Sequence, residues 1–308
     1  QLLIGPLLDK LVAPTKLIVI VALKIPQQFY IYWLLTQARE KINSNKNLIV
    51  VGITGSYGKT STKEFLSTIL STKFKLVKTL GFNNTLIAVA QTIVKELTRK
   101  HQVFVVEMGA YKGGEIKAIC DLVRPSMSIV TGINEQHLEL FGSIQAIKKT
   151  KYELVESLAS GNVAIFNGDN KDCLEMAKWA QHDKYKTVIY NVSKNAKNIR
   201  VFKNHLKFKF VDKNSNFEVS VPLVGKQNVG NLIAAIIAAK TLGLNNSQIY
   251  QGLSKITSPD KTMKIYKYNQ NITLVDDTFN ANSVGVEAAL EYMRHYKGKK
   301  ILILTPLI

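Results

Sequence analysis

A glycine-rich turn between an apolar strand and a helix constrains the fold of this chain more than any other feature. Residues 48–54, LIVVGIT, are short, apolar and rich in β-branched side chains, which is typical of a buried strand. They lead into GSYGKTST, residues 55–62, with a helix expected from about Lys59. Because backbone N–H groups and the helix N-terminus then converge on one point, the stretch predicts a phosphate-binding loop.

The spacing of this loop differs from the common phosphate-binding motif G-x-x-x-x-G-K-[ST]. Its glycines recur every third residue, at Gly52, Gly55 and Gly58. Lys59 can still reach the outer phosphates of a nucleotide, and Thr60 can offer its hydroxyl to a magnesium ion. The strand before the loop and the helix after it supply the context that a chance Gly-Lys-Thr would lack.

Strands and helices alternate along the rest of the chain. Residues 103–109 and 127–133 are further buried-strand candidates, and helices are predicted at 60–70, 84–98, 113–123, 143–158 and 231–244. This alternation predicts an α/β fold with a doubly wound, mostly parallel sheet. Residues 186–222 include the alternating LKFKF and predict a small antiparallel insert or sheet edge. A further strand (from 271), helix (284–297) and strand (300–305) begin a second unit.

The composition of the chain limits the classes of function. With 308 residues, 46% of them hydrophobic, it can form one large or two ordinary domains. The 41 basic residues outnumber 22 acidic ones, for a net charge of +19. No aromatic and basic recognition motif accompanies this charge, so we expect no nucleic-acid partner, whereas a polyanionic substrate would suit the protein. The two cysteines are far apart, which favours a reducing compartment.

Residues 1–46 differ in character from the rest of the chain. They hold two apolar stretches, 17–23 and 29–35, with lysines, a proline and glutamines between them. Neither stretch has the roughly 20 apolar residues of a clean membrane-spanning helix. Two interpretations stay open: peripheral contact with a membrane, or a helical arm that packs on the main domain. The chain starts at Gln1 and stops within ILILTPLI, so we expect it to be a piece of a longer protein.

Further candidate site residues come directly after the predicted strands. Glu107 stands at the carboxyl end of a strand, at the sheet edge where α/β proteins bind ligands, and a carboxylate there suits a metal bridging nucleotide phosphates. His137 comes after the next strand, where a metal ligand and a structural histidine are equally plausible. By composition alone, the nearby lysines are surface charge: Lys148, Lys149 and Lys151.

Several ordered motifs together resemble the Mur ligases, and most closely the MurF branch of that family. They are GITGSYGKTSTKEFL, VVEMGAYKGGEI, INEQHLELFGS, TKYELVESL, VGKQNVGNLIAA and DDTFNAN. The Mur loop pattern G-x-x-G-x-x-G-K-[ST] fits Gly52 to Thr60. The resemblance covers about residues 47–308. It implies a central ATP-binding domain at 47–270 and the start of a Rossmann-like C-terminal domain at 271–308, truncated, after an apolar and basic arm at 1–46.

The resemblance also implies roles for individual residues. Lys59, Glu107, His137 and Lys151 would be catalytic, and Thr60, Glu107, His137 and Lys151 (as a CO2-derived carbamate) would hold Mg2+. Asn83 and Asn84 would contact substrate. ATP would be bound by Thr54, Gly55, Ser56, Tyr57, Gly58, Lys59, Thr60, Ser61, Asn228, Asn231, Asp277 and Asn280.

Three departures from the family pattern concern substrate and nucleotide contacts. Gln227 replaces the usual histidine before Asn228, and Lys261-Thr262 replaces a Gly-Arg pair. Residues 83–90, NNTLIAVA, lack the glycine and proline that the family has there. Residues 1–46 are also too short and too apolar to be the UDP-sugar-binding domain that this family carries at its N-terminus.

The implied function is that of a carboxylate–amine ligase of peptidoglycan synthesis. It would use ATP to add D-Ala-D-Ala, or a similar amino-acid or dipeptide donor, to a nucleotide-sugar peptide through an acyl phosphate. Two alternatives remain: another Mur-type, folylpolyglutamate- or cyanophycin-synthetase-like ligase, and a membrane-associated ATP-binding partner that does not ligate. We expect a cytoplasmic monomer, with possible contact to the inner face of the membrane through residues 1–46.

Overall fold

The structure, a computed structural model, describes residues 4–135, 138–183, 185–269, 271–278 and 283–304. Of residues 4–23 and 283–284 only the helical backbone is described. Two predicted site residues, His137 and Asn280, therefore lie outside the described residues.

A six-stranded parallel sheet forms the centre of the molecule. Its strands are β1 (Ile49–Thr54), β2 (Leu76–Lys78), β3 (Val103–Glu107), β4 (Met127–Val130), β5 (Val163–Asn167) and β6 (Lys186–Tyr190), in the order β2-β3-β1-β4-β5-β6. The strands β1, β3 and β4 are almost wholly buried because helices cover both faces. Register pairs Ile53 with both Glu107 and Ile129, so the carboxyl ends of these three strands meet at one edge.

Eleven helices belong to the described part of the chain. They are α1 (Ile4–Asn43), α2 (Lys59–Leu70), α3 (Leu86–Glu96), α4 (Glu115–Val123), α5 (Leu138–Phe141), α6 (Ile144–Glu156), α7 (Lys171–His182), α8 (Val192–Asn195), α9 (Asn228–Thr241), α10 (Asn246–Leu253) and α11 (Ser283–Met293). Helices α2, α9 and α10 pack on one face of the sheet, and α1, α3 and α4 on the other. This arrangement confirms the predicted doubly wound, mostly parallel sheet.

Two small antiparallel sheets come after the parallel sheet in the chain. One contains β7 (Ala196–Val201), β8 (Leu206–Val211) and β9 (Asn216–Val221), and the other pairs β10 (Lys264–Lys267) with β11 (Thr273–Asp276). Within β8, the alternation in LKFKF places Leu206, Phe208 and Phe210 on the buried face of the sheet. This pattern is typical of a strand with one face packed on the core and the other in water. Residues 186–190, by contrast, are the edge strand of the parallel sheet.

The strand predicted at 300–305 is a wrong prediction for the described residues 300–304. These residues form no strand and are exposed, although Ile301 to Leu304 are apolar. A strand is defined by its hydrogen bonds to a neighbour, and no described strand lies beside this segment. Its β-branched composition is therefore not sufficient to give strand structure.

Helix α1 is fastened to the parallel-sheet layer by its last third. Leu34, Ala38 and Ile42 are buried against the core under α3 and α4. The ammonium of Lys41 donates to the carbonyl oxygens of Val94 at 2.6 Å and Leu97 at 3.1 Å, at the C-terminal end of α3. None of the described helices has the length and apolar character needed to cross a membrane.

Candidate active site

The loop between β1 and α2 has the backbone conformation that its glycines predict. Gly55 and Gly58 have φ angles of 148° and 78°, and Gly58 directly precedes the first turn of α2. A side chain at Gly58 would meet the Oδ1 atom of Asn231 at 2.6 Å. The Ser56 N–H donates to the Gly132 carbonyl at 2.7 Å. Only glycine therefore allows the loop to approach α9 and the end of β4 this closely.

Tyr57 anchors the loop with its side chain turned into the protein. Its ring lies on Gly132, where an added Cβ atom would approach the ring to 2.3 Å. Asn170 donates to the Tyr57 hydroxyl at 3.4 Å, and the Thr131 hydroxyl donates to the Tyr57 carbonyl. Burial raises the pKa of the Tyr57 phenol. The Tyr57 side chain thus helps to position the loop, whose backbone N–H groups are the atoms that suit a phosphate.

Lys59 is folded back over the loop that precedes it. Its Nζ atom donates to the Gly55 carbonyl at 2.8 Å and to the Ser56 carbonyl at 3.3 Å. Burial lowers the pKa of Lys59, and the charge of Glu107 partly opposes this shift. A cation held in this way lies within the cradle where phosphate oxygens would replace the two carbonyl partners.

Glu107 is fully buried at the end of β3 and receives hydrogen bonds from two directions. The Thr60 hydroxyl donates to Oε2 at 3.0 Å, and the Asn84 amide donates to Oε1 at 3.2 Å. The Lys63 ammonium lies 3.2 Å from Oε2 and also donates to the carbonyl of Gly81. This carboxylate therefore joins the phosphate-loop helix to the 79–84 segment.

Lys63 is the residue of this cluster that the sequence motifs did not reveal. It stands four residues after Lys59 and so points to the same side of α2, and it exposes none of its side chain. The sequence signal that could have identified Lys63 is its position on a face of α2 whose other residues are buried. It could have been found only by asking which cation compensates Glu107, since a buried carboxylate needs one.

The donor set at Glu107 suits Mg2+. Hard oxygen ligands, one carboxylate and one hydroxyl with phosphates completing the shell, are the arrangement that Mg2+ prefers at nucleotide sites. No group of three or more His, Cys, Asp or Glu side chains that could hold a metal by itself occurs among the residues the structure describes. The residues present therefore fit a metal that is shared with a nucleotide.

Lys151 and Lys148 are buried on α6, and their prediction as surface charge is wrong. Only Lys149 is exposed. Helix α6 packs between α4 and α7, so two of its three lysines face inwards. Lys148 forms ion pairs with Glu175 at 2.7 Å and Asp172 at 3.4 Å, which join α6 to α7.

Lys151 has a different environment from Lys148. It lines the same cleft as the phosphate loop and makes no ion pair within the described part of the chain. Burial, together with the nearby charge of Lys59, lowers the pKa of Lys151 to about 7. Its amine is therefore partly neutral, and nucleophilic, near pH 7.

The opposite rim of the cleft is formed by α9 and by the segment around β10 and β11. Asn228 donates to the Val224 carbonyl at 2.8 Å at the start of α9. The Met263 N–H donates to Asp277 at 3.0 Å, and burial raises the pKa of that carboxyl. Gln227 also lines the cleft, and its side-chain oxygen is buried without a hydrogen-bond partner among the described residues.

The cleft has a volume of about 400 Å³ and collects most of the predicted site residues. Those that line it are Gly55, Ser56, Tyr57, Gly58, Lys59, Thr60, Ser61, Asn84, Glu107, Lys151, Asn228, Asn231 and Asp277. Two predicted residues do not reach it. Thr54 is buried and donates its hydroxyl to the Met108 carbonyl at 3.0 Å, which ties β1 to β3. Asn83 is exposed on the outer side of the 79–84 segment.

Comparison with known proteins agrees with this geometry. Residues 53–239 match the Mur ligase middle domain. The UDP-N-acetylmuramoyl-tripeptide–D-alanyl-D-alanine ligase of Escherichia coli K12 is 31% identical over 257 residues, which cover 82% of this chain and 57% of that protein. The corresponding Bacillus subtilis ligase is 29% identical over 267 residues, 84% of this chain and 56% of that protein.

Solved structures give the same result at the level of the fold. A MurF crystal structure from Acinetobacter baumannii superposes with a TM-score of 0.80 at 27% identity, covering 86% of this chain and 58% of that one. A Thermotoga maritima MurF in complex with ADP gives 0.76 at 25% identity, covering 87% and 62%. A mutant of L. casei FPGS gives 0.68 at 16% identity and shows a shared fold alone.

The chain spans 56–62% of the length of these MurF relatives. The matched middle domain nevertheless includes most of the phosphate loop, Glu107, Lys151 and all but the last two residues of α9, and it extends over more than half of the chain. The sequence motifs, the topology of the sheet and the cleft all agree with this match. The chain therefore belongs to the Mur ligase family.

Proposed function

We propose that this chain is the ATP-binding part of an ATP-dependent carboxylate–amine ligase of the MurF type, acting in peptidoglycan synthesis. One observation carries the proposal: a phosphate loop, a buried carboxylate and a lysine whose pKa is lowered to about 7 line a single cleft.

The reaction brings two anions together. A carboxylate oxygen of the acceptor attacks the γ-phosphorus of ATP, the bond to ADP breaks, and an acyl phosphate forms. The amine nitrogen of the donor then attacks the acyl carbon, and phosphate leaves with the electron pair of the C–O bond, while the amine loses a proton. The ammonium of Lys59 and the loop N–H groups would screen the charges of the approaching anions.

Thr60 and Glu107 would hold the Mg2+ ion, with His137, outside the described residues, serving a second ion. Bound there, Mg2+ would supply positive charge to the phosphates during transfer. Lys151 would react with CO2 to give a carbamate, which converts an ammonium into a carboxylate-like metal ligand. Its burial and lowered pKa favour this modification because only the neutral amine attacks CO2.

The remaining predicted site residues would contact the nucleoside of ATP or the acceptor. Asn228, Asn231, Asp277 and Asn280 would bind the nucleoside portion of ATP, and Asn84, which lines the cleft, would contact the acceptor. The hydrogen bond from the Asn84 amide to the Glu107 carboxylate supports this assignment, because it holds Asn84 beside Glu107 in the cleft. For Asn83, which is exposed and does not line the cleft, contact with the acceptor stays a prediction. The relatives' names indicate a UDP-muramyl tripeptide as acceptor and D-alanyl-D-alanine as donor. We propose a cytoplasmic, monomeric protein.

The test is release of phosphate from ATP by the full-length protein with Mg2+ and a panel of acceptors and donors. The panel contains UDP-muramyl peptides, folate and amino-acid or dipeptide amines, and mass spectrometry identifies the amide formed. We expect phosphate release that depends on a UDP-muramyl peptide and on an amine. Equal phosphate release without any acceptor would contradict ligation, and amide formation on folate would favour the folylpolyglutamate-type alternative.

A further inference from the structure

Helix α1 has a second apolar face in addition to the one that packs on the core. Ile25, Phe29, Tyr32 and Trp33 have the spacing i, i+4, i+7 and i+8, so they share one side of the helix. Their exposed fractions are 50%, 70%, 72% and 51%. We call these four residues the aromatic stripe. Soluble proteins seldom leave so many large apolar side chains together in water, so such a patch indicates an interaction surface.

The aromatic stripe is held in a fixed position by the protein. The buried residues of the same helix, Leu34, Ala38 and Ile42, lie on its opposite side, and Lys41 binds the end of α3. The Tyr30 hydroxyl lies 3.4 Å from the amide nitrogen of Gln91 on α3. The stripe therefore faces away from the parallel sheet and is not free to fold back on it.

The charge around the aromatic stripe selects its partner. Residues 1–46 contain six basic residues and two acidic ones, Asp9 and Glu40, and the whole chain carries a net charge of +19. Such a surface repels a second copy of itself and attracts an anionic one. Tryptophan and tyrosine beside lysine are the side chains that prefer the headgroup level of a bilayer.

We propose that the aromatic stripe of α1 binds the surface of an anionic lipid bilayer. The aromatic rings would enter the headgroup region, and the exposed basic residues Lys24 and Arg39 would contact the lipid phosphates. The ATP-binding cleft would then be held beside the membrane. This proposal does not rest on the ligase activity, because it needs only the helix and its charge.

The first test reports on the environment of Trp33. The chain has two tryptophans, and Trp179 packs against Tyr152, so a Trp179→Phe background leaves Trp33 as the reporter. We expect its fluorescence to shift to shorter wavelength with phosphatidylcholine vesicles that contain phosphatidylglycerol, and to be quenched by brominated lipid. An unchanged spectrum at saturating lipid would overturn the proposal.

The second test measures binding by co-sedimentation with the same vesicles. The variant Phe29→Gln/Tyr32→Gln keeps helix propensity and should lower the partition coefficient by about tenfold or more. Tyr250→Gln, which alters another tyrosine on α10 that is more than half exposed, is the matched control and should bind as the parent does. High salt should weaken the binding of the parent protein.

Two outcomes would contradict the proposal. Equal binding to pure phosphatidylcholine vesicles would show that charge does not select the partner. A dimer in sedimentation that the same double variant dissociates would show that a second copy covers the stripe. Nucleotide titration of each variant gives an independent measure of the cleft, so failure of the lipid proposal is distinguishable from failure of the proposed ligase.

Discussion

The ammonium of Lys63 and the carboxylate of Glu107 form an ion pair of 3.2 Å in which neither side chain has any exposed surface. One partner comes from the phosphate-loop helix and the other from the end of the neighbouring strand. Asn84 and Thr60 complete the hydrogen bonds of the carboxylate. The pair therefore fixes the relative positions of the nucleotide loop and the 79–84 segment.

Replacing Lys63 by methionine should strongly destabilise the protein. The substitution leaves the buried carboxylate of Glu107 without its cation, which costs about 3–5 kcal/mol in the free energy of unfolding. Urea unfolding measures this cost. The double variant Lys63→Met/Glu107→Gln should recover part of the loss, because the uncompensated charge is gone.

A surface ion pair provides the control for this experiment. Lys117 and Asp121 lie 2.7 Å apart on α4, and both are more than half exposed. Lys117→Met should change stability by less than about 1 kcal/mol because water screens an exposed pair. A loss for Lys63→Met as small as that for Lys117→Met would contradict the assigned role of the buried pair.

Lys59→Ala should abolish most nucleotide binding. The side chain supplies about 3 kcal/mol of charge-assisted hydrogen bonding to phosphates, which corresponds to about a hundredfold in affinity. Calorimetric titration with a non-hydrolysable ATP analogue and Mg2+ measures the nucleotide affinity of both proteins. Lys75→Ala, at an exposed lysine just before β2, should bind as the parent does. Unchanged affinity of Lys59→Ala would refute the phosphate assignment.

The pKa of about 7 at Lys151 predicts a pH-dependent stability. The ordinary pKa is 10.5, so between about pH 7 and 10.5 the unfolded chain binds more protons than the folded one. The contribution of Lys151 to the free energy of unfolding should therefore rise with pH over this range. Denaturation of the parent and of Lys151→Met at several pH values isolates this contribution of Lys151. Parallel pH profiles of the two proteins would contradict the lowered pKa of Lys151.

The same lysine offers a chemical test of the carbamate. Lys151→Ala should lose phosphate release from ATP and recover part of it when a short carboxylic acid is added, since the acid can occupy the place of the carbamate. In the parent protein, 13C-labelled CO2 should give a carbamate signal in NMR spectra that Lys151→Ala lacks. Normal activity of Lys151→Ala without added acid would remove this role.

Gly132→Ala should displace the phosphate loop without touching any nucleotide contact. The new methyl group would lie 2.3 Å from the Tyr57 ring, which must then move. We expect a loss of about 1–3 kcal/mol in stability and weaker nucleotide binding. In Gly113→Ala the new atom meets its nearest neighbours at 3.8 Å, so this control should be close to neutral. Similar results for the two variants would show that Tyr57 does not anchor the loop.

The sequence by itself determined the type of sheet and the existence of a phosphate loop. Apolar strands with glycine turns and helices after them have few alternative packings, and the Gly55 and Gly58 conformations are local properties of the chain. The position of Glu107 at the end of a strand could also be predicted from the apolar residues directly before it. These features could be predicted because each depends on residues close together in the sequence.

Only the tertiary structure decided which side chains are buried and what they meet. Lys149 and Lys151 stand two residues apart on α6, yet one is exposed and the other is covered by elements distant in sequence. Lys63 meets Glu107 because β1 lies beside β3 in the sheet, and Thr54 faces Met108 for the same reason. Burial sets the pKa of Lys151 and the need for Lys63, and burial depends on packing between elements that the local pattern does not specify.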